Sequence, residues 1–159
     1  MVITRSARRL NLSVLILSVL LMGSVFGSPS AGAASLSDFR WESRPLLLFA
    51  PTDSDPRLID TLGRIEASRC DFVARDMVIG VVVAEGKSTL DGHVVDADES
   101  RRLFTQFAMG ANTFSALLIG KDGGEKLRIN AVPDLRAIYA VIDGMPMRSR
   151  EMTTDPRRC

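Results

Sequence analysis

Histidine, tryptophan and tyrosine occur once each in this chain of 159 residues, and cysteine twice, at Cys70 and Cys159. His93 is the one imidazole and no serine lies in a nucleophile elbow, so the sequence shows no motif of a Ser-His-Asp relay. Neither sign of charge dominates, since 20 basic residues face 19 acidic ones for a net charge of +1. Nothing in that balance resembles the footprint of a nucleic-acid binder, which needs a strongly basic face. Lysine is scarce, three against 17 arginines, a compositional trait without functional content.

A long hydrophobic run is also missing. The most apolar stretch, Leu12 to Phe26, is interrupted by Ser13 and Ser18 after Asn11, and falls short of the roughly 20 residues that a membrane span needs. It follows Arg5, Arg8 and Arg9 and precedes the small residues "GSPSAGAAS", in which Ala31-Gly32-Ala33 fits an A-x-A cleavage site. This is the layout of a secretory signal peptide, expected over 1–33. Arg8-Arg9 followed by "LNLSVL" is a poor match to a twin-arginine signal. Cleavage would remove three arginines and no acids, taking the net charge from +1 to −2. It would leave a single domain over 34–152 and a polar C-terminal tail over 153–159, in the periplasm or outside the cell, with no stable membrane span.

The spacing within 34–152 alternates strand and helix. "LLLFA", Leu46 to Ala50, is continuously apolar and suits a central strand covered on both faces. Asp55 can cap a helix with Pro56 at its first position, and Leu58, Ile59, Leu62 and Ile65 then share a face up to about Ser68. "MVIGVVVA", Met77 to Ala84, makes a second buried strand, parallel to the first. Glu85 to Asp98 is turn-rich and reads as a surface loop. Asp96 and Glu99 are spaced as a capping box for a helix carrying Leu103, Phe104, Phe107 and Ala108, which Gly110 ends. "FSALLIG" and "EKLRI" flank "KDGG" as a hairpin. A last helix starts at Pro133, buries Leu135, Ile138, Tyr139 and Ile142, and stops at Gly144 and Pro146. The order βαβαββα predicts an α/β fold of thioredoxin-like arrangement, a four-stranded mixed sheet with helices on both faces.

Four segments, "RPLLLFAP", "RDMVIGVVV", "LLIGKDGGEKLR" and "IDGMPMRSREM", together resemble the secreted bacterial family called domain of unknown function 4174 (DUF4174). The resemblance covers about Leu36 to Met152, and its most specific part is Ile142 to Arg148. It extends to animal extracellular sushi-repeat and coiled-coil-domain proteins in the group called P-DUDES. It implies a thioredoxin-like fold and leaves the activity open.

Thioredoxin-like enzymes hold their reactive cysteine between the first strand and first helix, where the helix start favours thiolate. Here that turn is Pro51-Thr52-Asp53-Ser54-Asp55-Pro56, without cysteine. Asn112 and Thr113 occupy the place where thioredoxins carry a proline before the third strand. The free N–H groups at the helix start could instead bind an anion through Thr52, Asp53, Ser54 and Asp55, unless Asp55 occupies them as a cap. Cys70 and Cys159 read as one disulfide in an oxidising compartment. The alternative is a reactive Cys70 thiolate favoured by Arg69 and Arg75. His93, Asp91, Asp96, Asp98 and Glu99 form a polar cluster without EF-hand spacing, so no metal is expected. "GKDGGEK" lies between strands and is a turn rather than a phosphate loop. In "GMPMRSREM", Arg148 and Arg150 are candidate partner contacts at the surface. The expected function is a non-catalytic binding or interaction module, without cofactor, whose partner is an envelope or extracellular protein or a small anion. A thiol-dependent oxidoreductase or one-cysteine peroxidase using Cys70 is the alternative.

Overall fold

The structure, a computed structural model, describes residues 33–154. The leader, apart from Ala33, and Cys159 lie outside the described residues. After a 3-10 turn at Leu36–Phe39 come β1 (Arg44–Thr52), α1 (Pro56–Ala67), α2 (Arg69–Val73), β2 (Met77–Glu85), β3 (Thr89–Leu90), β4 (His93–Val94), α3 (Ala97–Gln106), β5 (Ser115–Ile119), β6 (Glu125–Ile129), α4 (Leu135–Asp143) and α5 (Pro146–Thr154). They form one mixed sheet in the order β4-β3-β2-β1-β5-β6. β1 pairs parallel with β2, and every other pairing is antiparallel.

The sheet is built outward from β1. Leu46, Leu47, Leu48, Phe49 and Ala50 all have 0 % exposure, which requires cover on both faces. Leu46, Leu48 and Ala50 pack with Leu58 and Ile65 of α1 and with Ile138 and Ile142 of α4. Leu47 and Phe49 point the other way, to Leu103 of α3 and to Phe107 just beyond it. Phe49 meets the Phe104 and Phe107 rings edge-on, at centroid distances of 5.1 and 6.1 Å. Each buried leucine of this strand contributes about 1.5 to 3 kcal/mol relative to exposure.

Four expected strands are in the sheet, but it has six among the described residues. The two extra strands lie in the segment expected to be a surface loop, and at two residues each they are too short to show a period. Their turn, Asp91-Gly92, has φ of 49° and 78°, the doubly left-handed form that makes a tight hairpin. Two helices were also not expected. α2 is five residues long. At the other end, Pro146 does not mark a stop but opens α5, since a missing N–H costs nothing at a first helical position.

Two helix ends differ in detail. α3 ends at Gln106, short of Gly110, because Ala108 takes a left-handed φ of 51°. Met109 N then donates to Phe104 O at 2.8 Å and Ala108 N to Thr105 O at 3.1 Å, a Schellman closure with alanine where glycine is usual. The last expected helix begins at Leu135, capped by Asp134, rather than at Pro133.

Candidate functional site

The turn after β1 is closed upon itself. Asp55 is buried, and its Oδ1 accepts from Arg57 N at 2.9 Å and Arg57 Nε at 3.0 Å. Its Oδ2 takes Arg57 Nη2 at 2.6 Å. The hydrogen bond from the Arg57 side chain outweighs burial and holds the Asp55 carboxyl below its ordinary range. The positive start of α1 thus faces the protein's own carboxylate. Thr52 and Ser54 share a hydroxyl hydrogen bond at 3.1 Å, and Asp53 is exposed. Beside this turn, Thr113 lines a hollow of about 340 Å³ with Arg57, Phe114, Arg128 and Asn130.

Cys70 is elsewhere. It lies on α2, at the opposite end of α1 from Asp55, and is exposed. A twelve-residue helix spans about 18 Å. Among the described residues no cysteine is free. The arginines that would favour a thiolate are already engaged: Arg69 with Glu66 at 3.3 Å, and Arg75 with Asp143 at 2.7 Å.

Next to the turn opens a cleft of about 760 Å³ between the end of β2, the β3–β4 hairpin and α3. Asp53 abuts Gly86, which sits at φ 119°: a Cβ placed there would come within 2.9 Å of Asp53 Oδ2. The cleft therefore continues the surface of the β1–α1 turn. Its walls include Val83, Val95, Phe104 and Met109, with Ser88 and Ser100 below and Lys87 at the edge.

The polar cluster around His93 is dispersed. His93 is exposed on β4, Asp96 caps α3 by accepting from Glu99 N at 2.7 Å, and Asp98 pairs with Arg101. Glu99 does not complete the expected capping box; it turns back to accept from Leu36 N at 3.3 Å and pairs with Arg102. Among the described residues no three His, Cys, Asp or Glu side chains converge. The "KDGG" segment is a hairpin turn, with Gly120 N donating to Gly124 O at 2.8 Å.

Sequence reasoning missed a buried ionic cluster at the opposite end of β1 from the β1–α1 turn, where Arg44 begins the strand. Arg44, 1 % exposed, donates through both terminal nitrogens to the Glu151 carboxylate at 3.0 Å each. Lys121 Nζ lies 2.8 Å from Glu151 and 2.7 Å from Asp76. Asp143 accepts from Arg75 at 2.7 Å and from Arg148 at 3.3 Å. Arg148 is buried with Nη1 donating to Ala74 O at 2.7 Å, whereas it was expected at the surface; Arg150 is exposed. Burial raises the Glu151 pKa, but the hydrogen bonds and charges of Arg44 and Lys121 outweigh it and bring it to about 2. Each of the four segments quoted for the family resemblance supplies a charged residue here: Arg44; Arg75 and Asp76; Lys121; and Asp143, Arg148 and Glu151.

Comparison with known proteins agrees with this architecture. The chain is 28 % identical over 133 residues to coiled-coil domain-containing protein 80 of Danio rerio, covering 74 % of this chain and 15 % of that protein. It spans only that small part of the relative's length. Among solved structures, Plasmodium yoelii Prx1a, modified at the N-terminus and forming an artifactual octamer, superposes with a TM-score of 0.54 at 18 % identity, covering 80 % of this chain and 85 % of that one. Plasmodium yoelii thioredoxin peroxidase I gives 0.51 at 18 % identity, with 78 % and 82 % covered. These likenesses establish a thioredoxin-like fold. The family profile matches residues 35–151, nearly all of the described chain, and the protein belongs to the domain of unknown function family DUF4174.

Proposed function

We propose that this chain is a secreted or periplasmic thioredoxin-like module that works by binding rather than by thiol chemistry. The observation that carries the reading is the Asp55–Arg57 clamp. Where a redox enzyme of this fold would aim a thiolate at the helix start, a buried carboxylate already accepts the first N–H and a guanidinium. An incoming anion would have to displace that carboxylate, so the binding surface is placed in the adjoining cleft instead. Its occupant is a small molecule or a segment of an envelope or extracellular partner.

Cys70 is assigned a structural part in this reading, bonded to Cys159. The bridge would tie the chain end to α2 and close a long loop, worth about 4 to 5 kcal/mol in the chain-entropy model. The test is intact mass of the exported protein after alkylation, with and without reductant, together with peroxide and disulfide turnover. A start at Ala34, no alkylation before reduction and no turnover support the proposal. Turnover that disappears in Cys70→Ser would overturn it in favour of a one-cysteine peroxidase or thiol oxidoreductase.

A further inference from the structure

Resting on the binding reading, we infer that the cleft beside the β1–α1 turn takes a small monocarboxylate with an apolar body. Ser88 and Ser100 on its floor are 5 % and 8 % exposed. Ser88 Oγ accepts from Val83 N at 3.0 Å and shares a hydrogen bond with Ser100 Oγ at 3.1 Å. Two hydroxyls carry two hydrogens, and this bond uses one. Whichever serine donates, the other's hydrogen has no acceptor among the described residues. A donor left over in a nearly buried place is costly, and an entering carbonyl or carboxylate oxygen would satisfy it.

The sign of the ligand comes from the edge. Lys121 and Lys126 are both ion-paired, whereas no carboxylate pairs with Lys87 among the described residues. Two other charges on the lining are already engaged, Asp96 by the start of α3 and Arg101 by Asp98. Lys87 is thus the one charged side chain on the lining without a partner among the described residues. The body of the ligand comes from the walls, which Val83, Val95, Phe104 and Met109 make apolar. A donor on the floor, a cation at the mouth and apolar walls between them match one carboxylate on a short hydrocarbon. Sugars and multiply charged anions would lose more hydration against those apolar walls than a singly charged headgroup does. The volume lies within the range of single small-molecule sites.

The test is a titration of the ¹⁵N-labelled protein with hexanoate, 1-hexanol and acetate, read from amide shifts. Hexanoate is expected to shift Val83, Ser88, Ser100 and Met109 saturably, with 1-hexanol about fivefold weaker and acetate weaker still. Lys87→Gln is expected to cut hexanoate affinity by about fivefold and leave 1-hexanol unchanged. Ala111→Trp, at an exposed position on the lining, is expected to abolish both. Equal binding of hexanoate and 1-hexanol, or hexanoate shifts that saturate elsewhere, would overturn the carboxylate inference while leaving the binding reading intact. No saturable shift in the cleft by any probe would also overturn it. Thiol-dependent turnover would overturn the binding reading itself, whatever the cleft holds.

Discussion

Replacing Glu151 with glutamine isolates the buried ionic cluster with almost no change of shape. Glu151 is 19 % exposed and Arg44 1 %, so the substitution leaves a guanidinium in the interior whose nearest remaining carboxylate, Asp76, is 3.9 Å away. It also turns an amide donor toward either Arg44 or Lys121. The drop in the Glu151 pKa from 4.5 to about 2 corresponds to ~3 kcal/mol at about 1.4 kcal/mol per pKa unit. Truncating one partner of a buried pair independently costs about 3 to 5 kcal/mol. Glu151→Gln is therefore expected to lose ~3 kcal/mol in urea unfolding followed by circular dichroism at pH 7. The sign of the pH dependence follows from the folded-state pKa being depressed. The stabilisation is complete above the unfolded value of 4.5 and is lost as pH falls through about 2. The difference between parent and variant is thus expected to hold steady down to about pH 4.5 and then narrow, other carboxylates cancelling in the subtraction. A loss below ~1 kcal/mol at pH 7, or a gap that stays constant to pH 2, would show that the cluster does not hold Arg44 as described.

Three further perturbations probe other parts of the molecule. Asp55→Ala removes the cap of α1 and is expected to cost ~1 kcal/mol; phosphate is expected to raise the melting temperature of this variant more than that of the parent, because the helix start is then open. Gly80→Ala would put a Cβ 2.5 Å from Leu47 Cδ2 and 2.9 Å from Leu90 Cδ1; a loss of about 1 to 3 kcal/mol in denaturant is expected, and a neutral result would mean that the two leucines repack freely. Ala108→Gly relieves the left-handed alanine after α3 and is expected to stabilise the domain by ~1 kcal/mol in the same assay.

What could be read from the sequence depended on how local each signal was. The β1 run, the Asp55-Pro56 helix start and the spacing of Ile138, Tyr139 and Ile142 are dense local patterns, and the structure has each element where they place it. The β3–β4 hairpin failed that test for want of length, although Asp91-Gly92 is the same dipeptide that marks the turn at Asp122-Gly123. α5 failed for a different reason. Arg148 is its one buried side chain, so an apolar stripe cannot announce it, and the carbonyl it donates to, Ala74 O, lies 74 positions away. Distance also hid the ionic cluster, because Arg44 and Glu151 are 107 positions apart. Nor could the cleft be seen, since its floor depends on Ser88 meeting Ser100 across a hairpin.

The uninterrupted apolar character of β1 leaves one question to the rest of the molecule. A strand with alternating polarity resists a one-residue slip because the slip would turn its polar face inward. Leu46 to Ala50 has no such alternation, so hydrophobicity alone scarcely distinguishes the native alignment from its neighbours. Two features at fixed places do. Leu47 is the partner of Gly80 across the parallel ladder, and the Leu47 side chain fills the space that a Cβ on that glycine would need. Three positions earlier, Arg44 reaches Glu151. A shift of β1 by one step would press Leu46 or Leu48 onto Gly80 with its side chain on the wrong face, and would carry a buried guanidinium away from its carboxylate. The notch and the charge together act as a two-point key, setting an alignment that the apolar strand could not choose for itself.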